Sequence, residues 1–307
     1  MAHHEIPLER RTLHGHFSRD LEPILTVEPG DSIAFACLNA AWRDASRKRF
    51  PGRRPEGDPL DAGHALVGPV EIRGARAGHT LAVQIDEVHI GSWGVTAGGG
   101  WHTPLNERLG VDAGEVFELN WSLDASGGVG RDHEGREVAL RPFLGVIGLP
   151  PAEPGVHSTA PPRVCGGNID CKELVAGTTL YLPVAVDGAR LSAGDGHAAQ
   201  GDGEVSQLAI EAPVERAQLT LSVRDDLPLT SPIAWTPDAW LAFGFDEDLD
   251  EAAALAIDGM LSLMGREHGF ERREALALAS VVVDLRVTQM VNGVRGVHAC
   301  LAHNALR

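Results

Sequence analysis

The stretch GHTLAVQI, residues 78–85, carries the pattern that sets the fold class of this 307-residue chain. A glycine turn leads into an alternating run, which places Leu81, Val83 and Ile85 on one face of a strand because strand side chains repeat every two residues. The 36 glycines and 19 prolines are scattered along the chain rather than clustered. This distribution indicates many tight turns between short strands.

The same glycine-to-strand pattern recurs at GDSIAFAC (30–37) and GTTLYLPV (177–184), and QLAIEAPVERAQLTLSV (207–223) predicts a further pair of strands. The glycine-rich stretch 94–138 is predicted to be mostly a long loop. The sequence therefore predicts a mainly β protein, with a β-rich body over residues 1–225 that forms a sandwich or a distorted barrel of antiparallel sheet.

The hydrophobic period changes near residue 246. DEDLDEAAALAIDGMLSLMG (246–265) predicts a helix with acidic residues in its first turn, and REALALAS (273–280) predicts a shorter one. VVVDLRVTQMV (281–291) returns to a strand pattern, and Asn292-Gly293 is typical of a hairpin turn. No linker is evident, so we expect one unit over 1–307, in which residues 226–307 add a small α+β portion, a helix pair and a closing hairpin.

Composition and charge narrow the classes of function. The chain has 43 acidic and 26 basic residues, for a net charge of −17, which makes nucleic-acid binding an unfavourable interpretation. No apolar run approaches the roughly 18 residues of a membrane span, and the N-terminus lacks the apolar centre of a signal peptide. We therefore expect a cytoplasmic protein without membrane partners, with its four cysteines as free thiols, of which Cys165 and Cys171 have a structural role.

The densest group of ionisable residues is GDGHAAQGDGE (194–204). Asp195 and His197 are two apart, so on an extended backbone they face the same side, and Asp202 and Glu204 repeat this arrangement. The intervening glycines allow close approach of a ligand. A carboxylate and an imidazole on one face suit Zn²⁺ or a similar divalent ion. The alternative is a solvated acidic turn, since Asp-Gly is a favoured turn pair.

Two other segments place polar residues beside glycine turns. Asn168 and Asp170 follow a glycine pair in PPRVCGGNID (161–170), and His64 enters a strand in DAGHALVGPV (61–70). Each polar group adjoins an apolar strand. We therefore expect these strand ends to converge on one pocket.

Long motifs in this order resemble the acetamidase/formamidase family from about residue 20 to residue 301. The segments that carry the resemblance are HALVGPVEIRGARAGHTL (64–81), PFLGVIGLPP (142–151), PPRVCGGNID (161–170), LYLPVAVDGARLSAGDGHAAQGDGEV (180–205) and SVVVDLRVTQMVNGVRGVHACL (280–301). The resemblance implies a β-rich, metal-dependent enzyme that hydrolyses short amides to a carboxylate and ammonia.

The resemblance also implies the positions of the site. The residues that match the family's motifs are His64, Asn168, Asp170, Asp195, His197, Gln200, Asp202 and Glu204. From their chemistry we expect His64, Asp170, Asp195 and His197 to be the metal ligands. We expect Glu204 to be the general base, Asp202 and Asn168 to complete the catalytic set, and Gln200 and Gly167 to bind substrate. Whether His16 or His79 joins the site stays open; His79 occupies a turn position where family members commonly have Asp.

The leading hypothesis is a metal-dependent hydrolase that cleaves the C–N bond of short linear amides, such as formamide and acetamide, with a metal-activated water. Zinc is the favoured cofactor and calcium the alternative. A second hypothesis is a metal hydrolase of a larger or cyclic amide on the same scaffold. A third is a non-catalytic, calcium-stabilised β-sandwich that binds a ligand or protein. A small amide is the expected partner, and a homo-oligomer, as a dimer, the expected assembly.

Overall fold

A computed structural model describes residues 1–306. The strands in chain order are β1 (His3–Ile6), β2 (Leu13–His14), β3 (Leu25–Val27), β4 (Ser32–Cys37), β5 (Leu66–Ile72), β6 (Thr80–Ile90), β7 (Trp93–Gly98), β8 (Phe117–Asp124), β9 (Val129–Asp132), β10 (Glu137–Ala139), β11 (Phe143–Gly148), β12 (Gly166–Asn168), β13 (Thr179–Pro183), β14 (Leu191–His197), β15 (Val214–Arg224), β16 (Ile233–Trp235), β17 (Ala239–Asp246), β18 (Val283–Gln289) and β19 (Arg295–Ala302). The helices are α1 (Pro104–Leu109), α2 (Leu249–His268) and α3 (Arg272–Val282).

The larger sheet of the described chain has nine strands in the order β1-β4-β15-β6-β13-β16-β17-β19-β18. The three segments with the glycine-to-strand pattern are confirmed as β4, β6 and β13, and all belong to this sheet. Leu81, Val83 and Ile85 are completely buried, as the alternation predicts. Except for β1, which runs parallel to β4, neighbouring strands of this sheet are antiparallel.

A second, six-stranded sheet carries the polar motifs. Its order is β12-β11-β14-β5-β2, with β3 paired to β5. Every residue of β11 and β14 is buried, which indicates that both faces of these strands are covered. Leu144 of β11 and Val67 of β5 share one hydrophobic core with Val83 of the larger sheet. The two open sheets therefore pack as a sandwich, and the mainly β fold class is confirmed.

The stretch 94–138 is not the predicted long loop. With its flanking residues it forms α1 and a four-stranded sheet in the order β10-β9-β8-β7. Strand β8, FELNWSLD (117–124), alternates apolar and polar residues, and Trp121 and Leu123 on its apolar face are buried, so this strand was missed although its sequence carries the signal of a half-buried strand. The predicted strand pair in 207–223 is also wrong. It is one long strand, β15, preceded by residues 208–213, in which Glu211 makes isolated bridges to Val95 and His197.

The C-terminal elements follow the prediction closely. Asp248 caps α2 by accepting hydrogen bonds from the backbone N–H groups of Asp250 and Glu251, and Gly269 ends the helix with φ of 75°. A turn around Asn292-Gly293 joins β18 to β19. Strands β16 to β19 belong to the same nine-stranded sheet as β4, β6, β13 and β15. The division of the chain at residue 225 stays a prediction. None of the helices within residues 1–306 is both long and apolar enough to span a bilayer.

Candidate active site

Strands β11 and β14 form the floor of the site. Their register places Gly145 opposite Asp195, between the pairs Leu144–Gly196 and Val146–Gly194. A Cβ atom added to Gly145 would lie 2.5 Å from Asp195 Oδ2 and 2.7 Å from His197 Cε1. Because Gly145 has no side chain, Asp195 and His197 can lie close to the backbone of β11.

Asp195 and His197 face the same side of β14, as their spacing predicts. His197 Nε2 lies 3.2 Å from Asp195 Oδ2, and the ring packs edge-on against Phe143 with centroids 4.9 Å apart. The backbone N–H of Asp170, just beyond β12, donates to the carbonyl of Gly145 across 3.2 Å. Asp170 Oδ1 would lie 2.8 Å from a Cβ atom on Gly145, so the GGNID and GDGHAAQGDGE motifs do converge.

Glu211 completes this group and was missed by the sequence analysis. Its backbone exchanges two hydrogen bonds with Val95 of β7, and its Oε1 lies 3.3 Å from His197 Nε2. An acidic residue in the apolar run LAIEAPV (208–214) was the available signal, since a lone buried acid needs a partner. This run entered the sequence analysis only as part of a predicted strand pair, with no role for Glu211.

The site concentrates buried charge. The five ionisable side chains and their exposed fractions are Asp170 (1%), Asp195 (2%), His197 (1%), Glu204 (6%) and Glu211 (4%). Four carboxyl groups thus surround a single imidazole in a region closed to water. Removing ionised groups from water is costly unless opposite charge compensates them, so this arrangement needs further positive charge.

The pKa values of the four carboxyl groups shift in different directions. Burial, together with the charge of Glu204, raises the pKa of Asp170 well above its usual range. Burial raises the pKa of Glu204 to about 7, despite the opposing effect of His197. Burial likewise raises the pKa of Glu211. In Asp195 burial is outweighed by the facing His197 and His64, so its pKa is lowered.

The pKa of His197 shifts in the direction opposite to the one that burial alone would give. Burial alone would lower the pKa of His197, but the carboxylates of Glu211 and Asp195 outweigh it and raise the pKa well above the usual value. His197 is therefore the central counter-charge of the cluster in the absence of any other cation.

The donor set fits a divalent cation. Within residues 1–306, each of the five side chains keeps one buried atom without a hydrogen-bond partner: Asp170 Oδ1, Asp195 Oδ1, His197 Nδ1, Glu204 Oε2 and Glu211 Oε2. Ligand atoms of Asp170, Asp195 and His197 lie within 4.8 Å of one another, as do those of His197, Glu204 and Glu211. Such unsatisfied oxygens and an imidazole nitrogen are the ligands that Zn²⁺ and related ions take.

The remaining predicted residues surround this cluster at different depths. Asn168 is buried, its Nδ2 donates to the carbonyl of Ala160, and its Oδ1 is left without a partner among the described residues. Gln200 Nε2 donates to the carbonyl of Asp170 across 2.7 Å, which also leaves its Oε1 unpaired there. Gly167 stands beside Asn168 with φ of 102°. These three residues adjoin the carboxylates.

Other predicted residues lie outside the group of close ligand atoms. Asp202 is exposed and pairs with Lys172 Nζ across 2.8 Å. His64 is half-buried and hydrogen-bonded through Nδ1 to Thr159, close enough to Asp195 for its charge to lower the pKa of that acid. In the described part of the chain, neither joins a set of three close ligand atoms with the central acids.

The two histidines left open differ in environment. His16 is buried, with Nδ1 2.9 Å from the carbonyl of Leu60 and its ring 5.7 Å from that of His14. His79 is half-buried in the turn before β6. The structure gives neither residue a place among the close ligand atoms found within residues 1–306.

The hairpin turn between β18 and β19 contributes a second missed residue. Asn292 Nδ2 donates to Asp170 Oδ2 across 2.8 Å. This bond occupies one oxygen of Asp170 and leaves Oδ1 directed toward the cluster. Gly203 pairs with the same hairpin, since its N–H donates to Thr288 and its carbonyl accepts from Met290.

A separate buried group, Cys171, Glu173 and His298, also has close ligand atoms. Here Glu173 is already compensated, because Arg286 Nη1 lies 3.1 Å from its Oε1 and the Cys171 thiol donates to its Oε2 across 3.2 Å. This network matches the structural role expected for Cys171. The cysteines of the described chain are free thiols, as predicted.

An open cleft of about 510 Å³ lies beside His64. His64, Thr159 and Ala160 line one side of it, and Arg53 and Ser158 line another. Two of the lining residues have a link to the site, since the carbonyl of Ala160 accepts the hydrogen bond of Asn168 and His64 lowers the pKa of Asp195. The five clustered side chains do not themselves line the cleft.

Comparisons with known proteins find relatives named as amidases. The chain is 26% identical over 251 residues to the acetamidase of Mycolicibacterium smegmatis, covering 63% of this chain and 61% of that one. It is 26% identical over 244 residues to the formamidase of Methylophilus methylotrophus, covering 63% and 60%. The chain thus aligns with about three fifths of the length of each of these two relatives.

Solved structures share the fold. The acetamidase of Bacillus halodurans superposes with a TM-score of 0.83 at 27% identity, covering 97% of each chain. The γ-lactamase of Delftia acidovorans superposes with a TM-score of 0.64 at 20% identity, covering 97% of this chain and 92% of that one, and indicates a shared fold alone.

The model of the Acetamidase/Formamidase family matches residues 3–158 and 152–301. These two matches contain the cleft, both glycine-rich motifs and the hairpin that contacts Asp170. The chain therefore belongs to the acetamidase/formamidase family, whose named members are amidases that hydrolyse carbon–nitrogen bonds.

Proposed function

We propose that this protein is a metal-dependent hydrolase of short linear amides, such as formamide and acetamide, and releases a carboxylate and ammonia. The observation that carries the proposal is the buried cluster of four carboxyl groups and one imidazole, each with an unsatisfied atom. A purely structural cluster would be expected to pair these atoms internally. Family membership supports amide hydrolysis as the reaction.

Asp170, Asp195 and His197 would hold the cation, with Glu211 beside them. His197 Nε2 faces two carboxylates while Nδ1 has no partner in the described chain, a division typical of a metal-bound histidine. A divalent cation bound there would supply the positive charge that acidifies water and polarises the amide carbonyl. A histidine among the ligands favours zinc over calcium, which prefers oxygen ligands alone.

Glu204 is suited to carry the proton. In the metal-free chain burial raises the pKa of Glu204 to about 7, in the direction that lets one carboxyl group serve as base and then as acid. It takes a proton from the water whose oxygen bonds to the carbonyl carbon. It then delivers that proton to the amide nitrogen as the C–N bond breaks, so that ammonia leaves with the carboxylic acid, which loses the second proton of the water to solvent and becomes the carboxylate.

Asn168 would orient the substrate. Its Nδ2 is already used on the carbonyl of Ala160, so the unpaired group is the acceptor Oδ1. An acceptor suits the N–H of a primary amide rather than the developing oxyanion, which needs donors. Gln200 presents a second such acceptor through Oε1.

The test combines metal analysis with an assay of ammonia release. Purified protein should contain a divalent metal, release ammonia from formamide or acetamide, lose that activity on chelation and regain it when Zn²⁺ is restored. Full ammonia release by protein shown to be metal-free would contradict the proposal. A metallated protein that releases ammonia from none of a formamide-to-butyramide series would contradict the substrate class.

The cleft favours a second candidate, hydrolysis of a larger or cyclic amide. A volume of about 510 Å³ exceeds what a two-carbon amide needs, and the fold likeness includes a γ-lactamase. Ring opening of a lactam releases no ammonia but creates a primary amine. Amine formation from a γ-lactam, measured beside ammonia formation from acetamide on the same preparation, decides between the two substrates.

A further inference from the structure

Strand β18 is an edge strand of the nine-stranded sheet, and most of its outer side is unpaired within the described chain. Its inner edge pairs with β19 from Val283 to Gln289. On its outer edge, the only pairing among residues 1–306 is at its end, where Gly203 bonds to Thr288 and Met290. The helix α3 stops immediately before the strand. The open edge is therefore the segment 283–287.

This segment is self-complementary in sequence. Residues 283–287 read VDLRV, so an acid and a base lie symmetrically about Leu285. If two copies pair antiparallel with Leu285 on the two-fold axis, Asp284 faces the partner's Arg286 and Val283 faces the partner's Val287. Directly opposite residues of opposite charge stabilise an antiparallel pair, and like charges destabilise it.

The surface around the edge is apolar and incompletely covered. Val281 is 82% exposed, Leu276 is 52% exposed and Leu285 is 46% exposed. Between α2, α3 and β18 lies a groove of about 270 Å³, lined by Met260, Leu276 and Leu285 among others. Large exposed apolar side chains beside an unpaired sheet edge are typical of an interface rather than of a free surface.

We propose that a second copy of this chain covers this edge, through antiparallel pairing of β18 with β18 of the partner. A two-fold interface uses the same patch on both copies, and VDLRV has the internal symmetry that such an interface requires. The usual protections of a free edge, a proline or an unbalanced charge, do not occur in this segment. The two nine-stranded sheets then continue into one another across the dimer.

The pairing also borders the active-site loop. Gly203 bonds to the end of β18, and Glu204 follows it directly in the chain. The partner strand begins where the contact of Gly203 ends. The dimer thus closes the sheet beside the segment that positions Glu204, while the cleft lined by His64 lies on other residues.

Charge variants of β18 test this register by light scattering and sedimentation velocity. Asp284→Arg places an arginine opposite the partner's Arg286, and Arg286→Asp places two acids opposite one another. Each variant alone should raise the dissociation constant of the dimer at least tenfold. An equimolar mixture of the two should dimerise again, because the heterodimer pairs basic with acidic residues at both positions.

Glu118→Arg provides a matched control, since it reverses an exposed charge on β8, outside the nine-stranded sheet, and should leave the dimer intact. Arg286 also pairs with Glu173, so circular dichroism must confirm that Arg286→Asp folds. Should it not fold, Leu285→Lys replaces it, because two lysines on the two-fold axis must also weaken the dimer. A monomeric wild type at 50 µM or above, or Asp284→Arg dimers as tight as wild type, would overturn the proposal.

Discussion

Three of the four clustered acids have unusual backbone conformations. The φ angles of Asp170, Asp195 and Glu204 are 52°, 61° and 45°, in the left-handed region that favours glycine. Each such residue costs about 1–3 kcal/mol, which the surrounding structure must offset. Neighbouring glycines cannot substitute for the carboxylates, so the chain retains strained acids where ligands are needed. This coincidence of strain and buried charge supports a functional origin.

Glu204→Gln tests the proton carrier directly. The amide has nearly the same shape but cannot take a proton, so kcat should fall by about 100-fold or more while the metal content stays near that of the wild type. Ammonia release and elemental analysis on the same samples measure both quantities. Glu215→Gln, at an exposed position of β15, is the control and should change neither. Retained turnover in Glu204→Gln would assign the proton transfer elsewhere.

Gly145→Ala tests the shape of the site. The added methyl group would meet Asp195 Oδ2 at 2.5 Å and Asp170 Oδ1 at 2.8 Å, so both side chains must shift. We expect at least a tenfold loss of metal affinity by isothermal titration, with a folded protein by circular dichroism. Gly98→Ala is the matched control, because its nearest contact is Ser206 Cβ at 3.9 Å. Equal affinity in both variants would mean that the cation does not sit over Gly145.

The sequence predicts part of this site and not the rest, for a physical reason. Asp170, Asp195, His197 and Glu204 stand beside glycines that mark tight turns, so their segments could be recognised and their convergence expected. Glu211 reaches His197 only because its backbone pairs with Val95. The apolar run LAIEAPV (208–214) marks Glu211 as an unusual acid, but pairing between distant segments leaves no local mark, so the sequence does not show that Glu211 faces His197.

At the scale of elements, the hairpin of β18 and β19 connects the C-terminal region to the site. Asn292→Ala removes the donor to Asp170 Oδ2 and should lower metal affinity by about 10- to 100-fold, as loss of a ligand's hydrogen-bond partner typically does. Titration of the metal-free variant measures this. Asn120→Ala removes an exposed side-chain amide from β8 and should leave the affinity unchanged. If Asn292→Ala binds the metal as tightly as the wild type, Asn292 serves only to form the turn.

The elements differ in how strongly their sequences specify them. α2 combines a helical hydrophobic period, the Asp248 cap and a terminal glycine, and its predicted range differs little from the observed one. Strands β7, β9 and β10 were missed because glycines interrupt the first two and the third has only three residues. Strand β8 was missed although FELNWSLD (117–124) alternates apolar and polar residues, because the glycines of the surrounding stretch favoured a loop. Alternation therefore marks a strand even where only one face is buried.

At the scale of the whole molecule, the buried acids couple stability to pH and to the cation. Burial raises the pKa of Glu204 from 4.5 to about 7, and it raises those of Asp170 and Glu211 in the same direction. The folded, metal-free protein therefore holds protons that the unfolded chain releases above pH 4.5. Its unfolding free energy must fall as pH rises from 4.5 to 7, by about 3 kcal/mol for Glu204 alone.

Urea denaturation of the chelated protein at pH 5, 6, 7 and 8 measures this loss, and Glu204→Gln should make it smaller. Zn²⁺ should oppose the trend, because the cation binds the ionised carboxylates and adds about 2.7 kcal/mol at a hundred times its dissociation constant, which offsets most of the loss from Glu204. The gain from Zn²⁺ should then be larger at pH 7 than at pH 5. A metal-free protein that becomes more stable over this range would show that the four acids are compensated within the chain. The physical case for a cation in the cluster would then fail.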